Sequence, residues 1–211
     1  MSSWFKRAIV VFAALAAPTI WTAAASAGSI HTQVKGKEAI AEFGVFDTLT
    51  CDDGSTRSMQ TFFSIRSSEI LIKMQGQQTT TLRTDVNISS FNPCTFEQSF
   101  SFGTFFGGDL PMNALESGTL AGHFVLNDDK VLDLNLTLTG SDQISSGRRM
   151  ERRNFGNVMF MSRQIGTSRS ATISGTATFD GRVIPASQMA DTNGSLARNT
   201  SGEFIVVQGG K

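Results

Sequence analysis

Apolar side chains recur at every second residue through much of the chain, in short runs that glycine, asparagine, aspartate and proline interrupt. Side chains of a β-strand alternate between its two faces, so this spacing predicts strands with one apolar and one polar face. The clearest run is 131–139, where leucine occupies every second position from Leu132 to Leu138. Beyond residue 27, no stretch of twelve residues carries a helical stripe.

The fold class predicted from this pattern is all-β: a single antiparallel β-sandwich domain of about ten strands after a cleaved signal peptide. A lipocalin-like closed barrel is the alternative architecture. Residues 28–38 are interpreted as a polar lead, and 184–200 as a long polar loop before the last strand. The predicted strands are 39–46, 59–65, 69–75, 79–89, 94–102, 117–126, 131–139, 157–165, 168–179 and 203–208.

The leucine-rich hairpin allows its register to be predicted. Cross-strand neighbours share a face of the sheet, so apolar residues of the two strands should stand opposite one another. Pairing Leu126 with Leu132 satisfies this rule and leaves Asp128–Lys130 as a three-residue loop. The same register places His123 opposite Asn135.

Phenylalanines dominate the next informative segment. In the predicted strand 94–102, Phe100 and Phe102 belong to the apolar side, which we expect to face the core. Phe105 and Phe106 follow between glycines, in a predicted loop. They are candidate aromatic contact residues for a ligand or partner; the alternative is that both rings cap one end of the sandwich.

The first 27 residues have the features of a secretory signal. A positively charged start precedes the apolar run 8–17, and 25–27 is an Ala-Ser-Ala cleavage site. An apolar run of this length is too short for a bilayer, which needs roughly twenty residues. We therefore expect 1–27 to be removed and 28–211 to form one secreted or periplasmic domain that does not span a membrane.

Composition narrows the partners of the predicted domain. Tyrosine is absent from the chain and both tryptophans, Trp4 and Trp21, lie in the predicted signal. Carbohydrate platforms, membrane-interface girdles and interface hot spots favour these two ring types, so their absence lowers the odds of each. Residues 28–140 are acidic and 141–211 are basic, with a near-neutral total. Nucleic-acid binding usually needs a clearly basic domain, so we do not expect it.

The two cysteines, Cys51 and Cys94, predict a disulfide, because the expected compartment is oxidising. The alternative is a reactive or metal-binding thiol. A closed zinc site needs four ligands, and the chain offers only these two cysteines and two histidines, His31 and His123, as its usual nitrogen and sulfur ligands.

No catalytic residue, metal site or cofactor is predicted. A serine hydrolase needs a base beside its serine, but no G-x-S-x-G motif occurs and His123 lies on a polar strand face. The acidic pairs at 52–53 and 128–129 fit turns, where aspartate bonds the backbone. Residues 191–194 resemble only the start of a calcium loop.

The densest charge cluster contains four arginines, Arg148, Arg149, Arg152 and Arg153. Guanidinium groups bind sulfate and phosphate bidentately, so the cluster is a candidate anion-binding site for an acidic polymer or partner. The alternative is a solvated loop, or an edge kept charged against aggregation.

The function expected from these observations is that of a non-catalytic, extracellular or envelope-associated binding or adhesion module with an unknown polymer or protein as partner. One alternative is a carboxylate-dependent hydrolase of an extracellular polymer, which would need a cleft with converging acids. The other is a small-ligand carrier, which would need an enclosed, apolar β-barrel interior lined by phenylalanine.

Overall fold

The computed structural model describes residues 29–156 and 158–207, so the signal peptide predicted for 1–27 lies outside the described residues. The described part is almost entirely antiparallel strand and contains no α-helix, which confirms the predicted all-β class. No helix in these two ranges is long and apolar enough to cross a membrane. The elements are β1 (Ser29–Thr50), β2 (Thr56–Met74), β3 (Gln77–Asn92), β4 (Glu97–Phe106), β5 (Met112–Asn113), β6 (Ser117–Val125), β7 (Val131–Gly140), β8 (Ser145–Phe155), β9 (Val158–Phe179), β10 (Arg182–Pro185), a 3-10 turn (Ala186–Gln188) and β11 (Ala190–Val207).

All the strands belong to one sheet, in the order β4-β3-β2-β1-β11-β9-β7-β6-β5. The first four strands are successive hairpins, whereas β1 pairs on its other side with β11, the last strand. The long strand β9 has two partners along each edge: β11 and then β10 on one, β8 and then β7 on the other. The sheet therefore has its first and last strands side by side near its centre.

The sheet curls so that its apolar face packs against itself in a sandwich-like core. Phe63 of β2 stacks on Phe43 of β1 at a ring distance of 4.8 Å, and its ring also meets Phe179 of β9 edge-on at 5.6 Å. Leucines 132, 134, 136 and 138 are all buried, as the alternation predicts.

The edge strand β4 is joined to the β6–β7 turn. The Asn127 backbone N–H donates to the Phe102 carbonyl at 3.0 Å, and the Phe102 N–H donates to Asn127 Oδ1 at 2.7 Å. The Ser101 hydroxyl donates to Asp128 Oδ2 at 2.7 Å, and Lys130 Nζ donates to the same oxygen at 2.7 Å. These bonds hold the first and second halves of the curled sheet together.

The predicted register of the β6–β7 hairpin is wrong by two residues. Leu132 faces Phe124 rather than Leu126, and His123 faces Asp133 rather than Asn135. Leu126 leaves the strand because residues 126–130 form a wider turn that places its side chains against β4. A shift by two keeps every side chain on its predicted face, so the alternation alone cannot distinguish the two registers.

The contacts of Asp128 predict a pH-dependent contribution to stability. The hydrogen bond from Lys130, with that from Ser101, outweighs desolvation and holds the pKa of the Asp128 carboxyl below its usual value of 3.8. A lowered pKa means that the stabilisation is fully present above pH 3.8 and is lost as the pH falls through the folded-state pKa. We expect Asp128→Asn to lower the free energy of unfolding by about 1 kcal/mol at neutral pH.

Urea unfolding at neutral pH and at a pH well below 3.8 tests this expectation, with Asp129→Asn as the matched control from the same turn. The deficit of Asp128→Asn should disappear at the lower pH, and Asp129→Asn should be close to wild type at both. A deficit of the same size at both pH values would contradict the assignment.

Cys51 and Cys94 form the predicted disulfide, with a Cα–Cα distance of 5.3 Å. Cys51 follows β1 directly, and Cys94 lies in the turn between β3 and β4. The bridge therefore connects the ends of two strands that are separated in the sheet by β2.

Six strands continue beyond the core as an open sheet, which we name the distal sheet: residues 29–37, 69–74, 77–81, 145–155, 158–168 and 198–206. None of these residues is buried. We call the side that continues the core-facing surface the inner face and the opposite side the outer face. Both faces of the distal sheet are therefore in contact with solvent.

Two polar segments that the sequence placed outside the strands are part of the sheet. Residues 29–38 pair with β11, with β2 as a second partner from Thr32 onward, and 194–200 pair with both β1 and β9. Their backbone groups are thus satisfied on two sides. Most of 29–38 lies where the sheet covers no core, so this segment shows no continuous apolar alternation, whereas in 194–200 the buried positions are the small Gly194 and the single apolar Leu196.

Candidate ligand-binding site

β4 presents its aromatic side to solvent, so the prediction that Phe100 and Phe102 face the core is wrong. Phe100 is 59 % exposed and Phe102 is 53 % exposed, whereas Ser101 between them is only 3 % exposed. The inner position can be polar because the Ser101 hydroxyl is hydrogen-bonded to Asp128. An edge strand with its apolar side outward is a strong indication of a binding surface.

An apolar groove of about 290 Å³ lies between these rings and Phe62 of β2. In the register of β2, β3 and β4, Ser89 stands between Phe62 and Phe100. Because serine is small, it forms a low floor between the two rings. The groove is open to solvent and is lined by Phe62, Ser64, Asn87, Ile88, Ser89, Phe100, Ser101 and Phe102.

A larger polar groove of about 500 Å³ adjoins it on the same face. Two ion pairs contribute to its walls: Arg66 with Glu38 at 2.6 Å, and Arg83 with Asp85 at 2.8 Å. The Thr104 hydroxyl also donates to Asp85, at 2.7 Å. Ser64, Asn87 and Phe102 line both grooves, which therefore form one continuous surface.

The polar groove contains two carboxylates, and both are paired with neighbouring side chains. Glu42 accepts hydrogen bonds from Asn193 at 3.0 Å and Ser64 at 3.4 Å, and Asp85 is paired with Arg83. The proton-donating acid of a glycosidase lies in an apolar setting that keeps it protonated. Asp85, with a guanidinium beside it, has the opposite environment.

Within the described ranges, a serine hydrolase, a metal site and a small-ligand carrier have less structural support. His123 Nδ1 pairs with Asp133 Oδ1 at 2.6 Å, both side chains are at least half exposed, and no serine hydroxyl bonds to that ring. No group of three metal-ligating side chains occurs in residues 29–156 and 158–207. The two grooves open to solvent and do not resemble the enclosed cavity that a small-ligand carrier needs.

The four arginines of the predicted anion site lie on β8, an edge strand that pairs with β9 alone. Strand alternation divides them: Arg148 and Arg152 lie on the inner face, Arg149 and Arg153 on the outer face. Glu151 forms ion pairs with Arg153 and, at 4.0 Å, with Arg149. The structure therefore does not bring the four together into one site.

Phe105 and Phe106 lie at the end of β4 rather than in a loop. Phe105 is partly buried and its ring packs against Phe124 of β6 at 4.8 Å. Phe106 is 70 % exposed on the outer face but lines neither groove. The residues that form the apolar groove were missed because its signal, Phe62 beside an outward-facing β4, appears only once the strands are paired.

Comparison with known proteins does not assign this chain to a family. No family model matches the sequence, and no curated protein does. A structure of a provisionally assigned AttH from Nitrosomonas europaea is 10 % identical with a TM-score of 0.30, over 82 % of this chain and 52 % of that one. This chain thus spans about half the length of that structure. An acetoacetate decarboxylase-like enzyme from Sphingomonas wittichii RW1 is 9 % identical with a TM-score of 0.26, over 83 % of this chain and 90 % of that one.

Proposed function

We propose that this protein is an exported, non-catalytic binding module, and that a protein partner occupies the joined grooves on the outer face of β2–β4. The observation that carries the proposal is the outward aromatic side of β4 next to Phe62. Burying an exposed phenylalanine ring against a partner stabilises the complex by about 1.5–3 kcal/mol. Burial of these solvent-exposed aromatic rings on binding would therefore contribute favourably to the binding free energy.

The arrangement of the surface favours a protein over a polysaccharide. Protein interfaces combine an apolar, aromatic centre with a polar rim. Here three phenylalanines form the centre, and Arg66, Arg83 and Asp85 lie in the adjoining rim. Two further phenylalanines on the outer face extend the apolar surface: Phe46, 50 % exposed, and Phe91, 42 % exposed.

The test compares Phe102→Ser with Phe106→Ser, because both rings lie exposed on one strand but only Phe102 lines the grooves. Each immobilised variant is exposed to envelope and medium fractions of the source, and the retained protein is then purified for titration. We expect Phe106→Ser to bind like wild type and Phe102→Ser to bind at least about tenfold more weakly.

Equal affinity of Phe102→Ser and wild type for the retained protein would refute the proposed site. Release of fragments from an extracellular polymer, abolished by Glu42→Gln, would instead establish the hydrolase alternative.

A further inference from the structure

At the far end of the distal sheet, apolar side chains of β9 and β11 lie on both faces, beside Arg152 and Arg153 of β8. Cross-strand pairing places Phe204 beside Met161 on the inner face, and Ile205 beside Phe160 on the outer face. Phe155, 60 % exposed, extends the outer side. We name this end the distal tip. Its apolar residues are Met159, Met161, Phe204 and Val206 on the inner face and Ile30, Met74, Phe155, Val158, Phe160 and Ile205 on the outer face.

A belt of cations lies behind the distal tip and reaches it at Arg152, which pairs in register with Met161. Lys37 is paired with Glu69 at 2.8 Å, and Glu69 is the only acidic side chain of the inner face in the distal sheet. The remaining inner cations have no carboxylate within 4.0 Å among the residues that the structure describes. They are Lys35, Lys73, Arg148, Arg152, Arg163 and Arg198.

Because the tip has apolar side chains on both faces, covering all of them requires an environment that surrounds the tip, not a partner that binds one face. A protein or polymer that docks on the sheet would cover one face and leave the other in water. A bilayer entered edge-on covers both faces at once. The apolar positions extend about two to three residues back from the tip, which is about 7–10 Å of strand. Interfacial segments bury their apolar side to about the same depth, 5–10 Å.

We propose that the distal tip inserts edge-on into the interface of an anionic phospholipid bilayer, with the cation belt at the lipid phosphates. Arginine and lysine pair with phosphate, and basic residues close to the membrane add to binding by anionic lipid. On the outer face, Arg149 and Arg153 are paired with Glu151, and Glu203 lies on the same side, so the unpaired cations of the belt are concentrated on the inner face.

The tip differs from the usual membrane-interface anchors, which use tryptophan and tyrosine. Phenylalanine, isoleucine and methionine provide its apolar part, and lysine and arginine provide the polar contact with headgroups. The surface is separate from the joined grooves, which involve other residues of β2–β4. The proposal therefore stands or falls independently of the proposed function.

Sedimentation with phosphatidylcholine vesicles, with and without phosphatidylglycerol, tests the proposal. We expect wild-type protein to bind only the vesicles that contain phosphatidylglycerol, and less so as the salt concentration rises. Lys35→Gln with Arg163→Gln should weaken binding by about 25-fold, at about fivefold per cation. Phe155→Ser with Phe204→Ser removes one exposed ring from each face and should weaken binding by at least about tenfold.

Phe106→Ser is the control, because it removes a ring outside the distal sheet that is more exposed than Phe155 or Phe204, and it should bind like wild type. Three results would overturn the proposal: equal binding to both kinds of vesicle, full binding by the Phe155/Phe204 variant, or binding of soluble dextran sulfate that competes fully with the vesicles. Dimerisation in sedimentation equilibrium that the Phe155/Phe204 variant abolishes, without any vesicle binding, would assign the tip to a second copy of the chain instead.

Discussion

Phe63→Ala is expected to lower the free energy of unfolding by about 3–5 kcal/mol, the range for removing a fully buried aromatic ring. Phe63 is 1 % exposed and contacts rings on two other strands, Phe43 on β1 and Phe179 on β9. Its loss leaves a cavity between the two halves of the curled sheet. Rigid strands on both sides cannot close such a cavity fully. Denaturant unfolding followed by circular dichroism measures the effect.

Phe62→Ala is the control, because Phe62 is the next residue and faces solvent, with 37 % of its surface exposed. We expect its stability to stay within about 1 kcal/mol of wild type. In partner binding the order of effects should reverse, since Phe62 lines the apolar groove. Similar stability losses in the two variants would show that the assignment of faces in β2 is wrong.

Replacing Cys51 and Cys94 together by alanine is expected to cost about 4 kcal/mol by the loop-entropy model of a disulfide. The two cysteines are 43 residues apart in the sequence, and the loop between them contains all of β2 and β3. Without the bridge, the unfolded chain gains the freedom that this closure removes. The midpoint of urea unfolding, with the slope fitted separately, measures the loss.

Wild-type protein unfolded in the presence of a reductant provides the control for the double substitution. It should unfold at nearly the same urea concentration as the Cys51/Cys94 variant. A reduced wild type that retained its full stability would mean that the bridge does not constrain the unfolded chain.

The parts of the fold that can be predicted from sequence are those in which one side of a strand is buried. Residues 131–139 alternate strictly because every second side chain packs in the core, and the prediction for them is confirmed. In the distal sheet both faces meet solvent, so 145–155 carries charge on either side and gives no such signal. The strand exists because its backbone pairs with β9.

The candidate site was harder to predict because it departs from the rule that the apolar face of an alternating strand packs against the core. The alternation in β4 is regular, but the phenylalanines Phe100 and Phe102 point outward and Ser101 points inward. Only the pairing of Ser101 with Asp128, 27 residues later, explains the inversion. A long-range hydrogen bond of this kind leaves no local pattern in the sequence.

The central pairing of β1 with β11 also determines when the chain can fold. The two strands match from Ser29 with Val206 to Gly44 with Ala190, so the sheet joins the first described residues to the last. Contacts of such long sequence separation slow folding. During synthesis, β1 lacks its second partner until β11 has left the ribosome. The two-sided pairing of β1 can therefore form only when nearly the whole chain has been made, so completion of the sheet is a post-translational event.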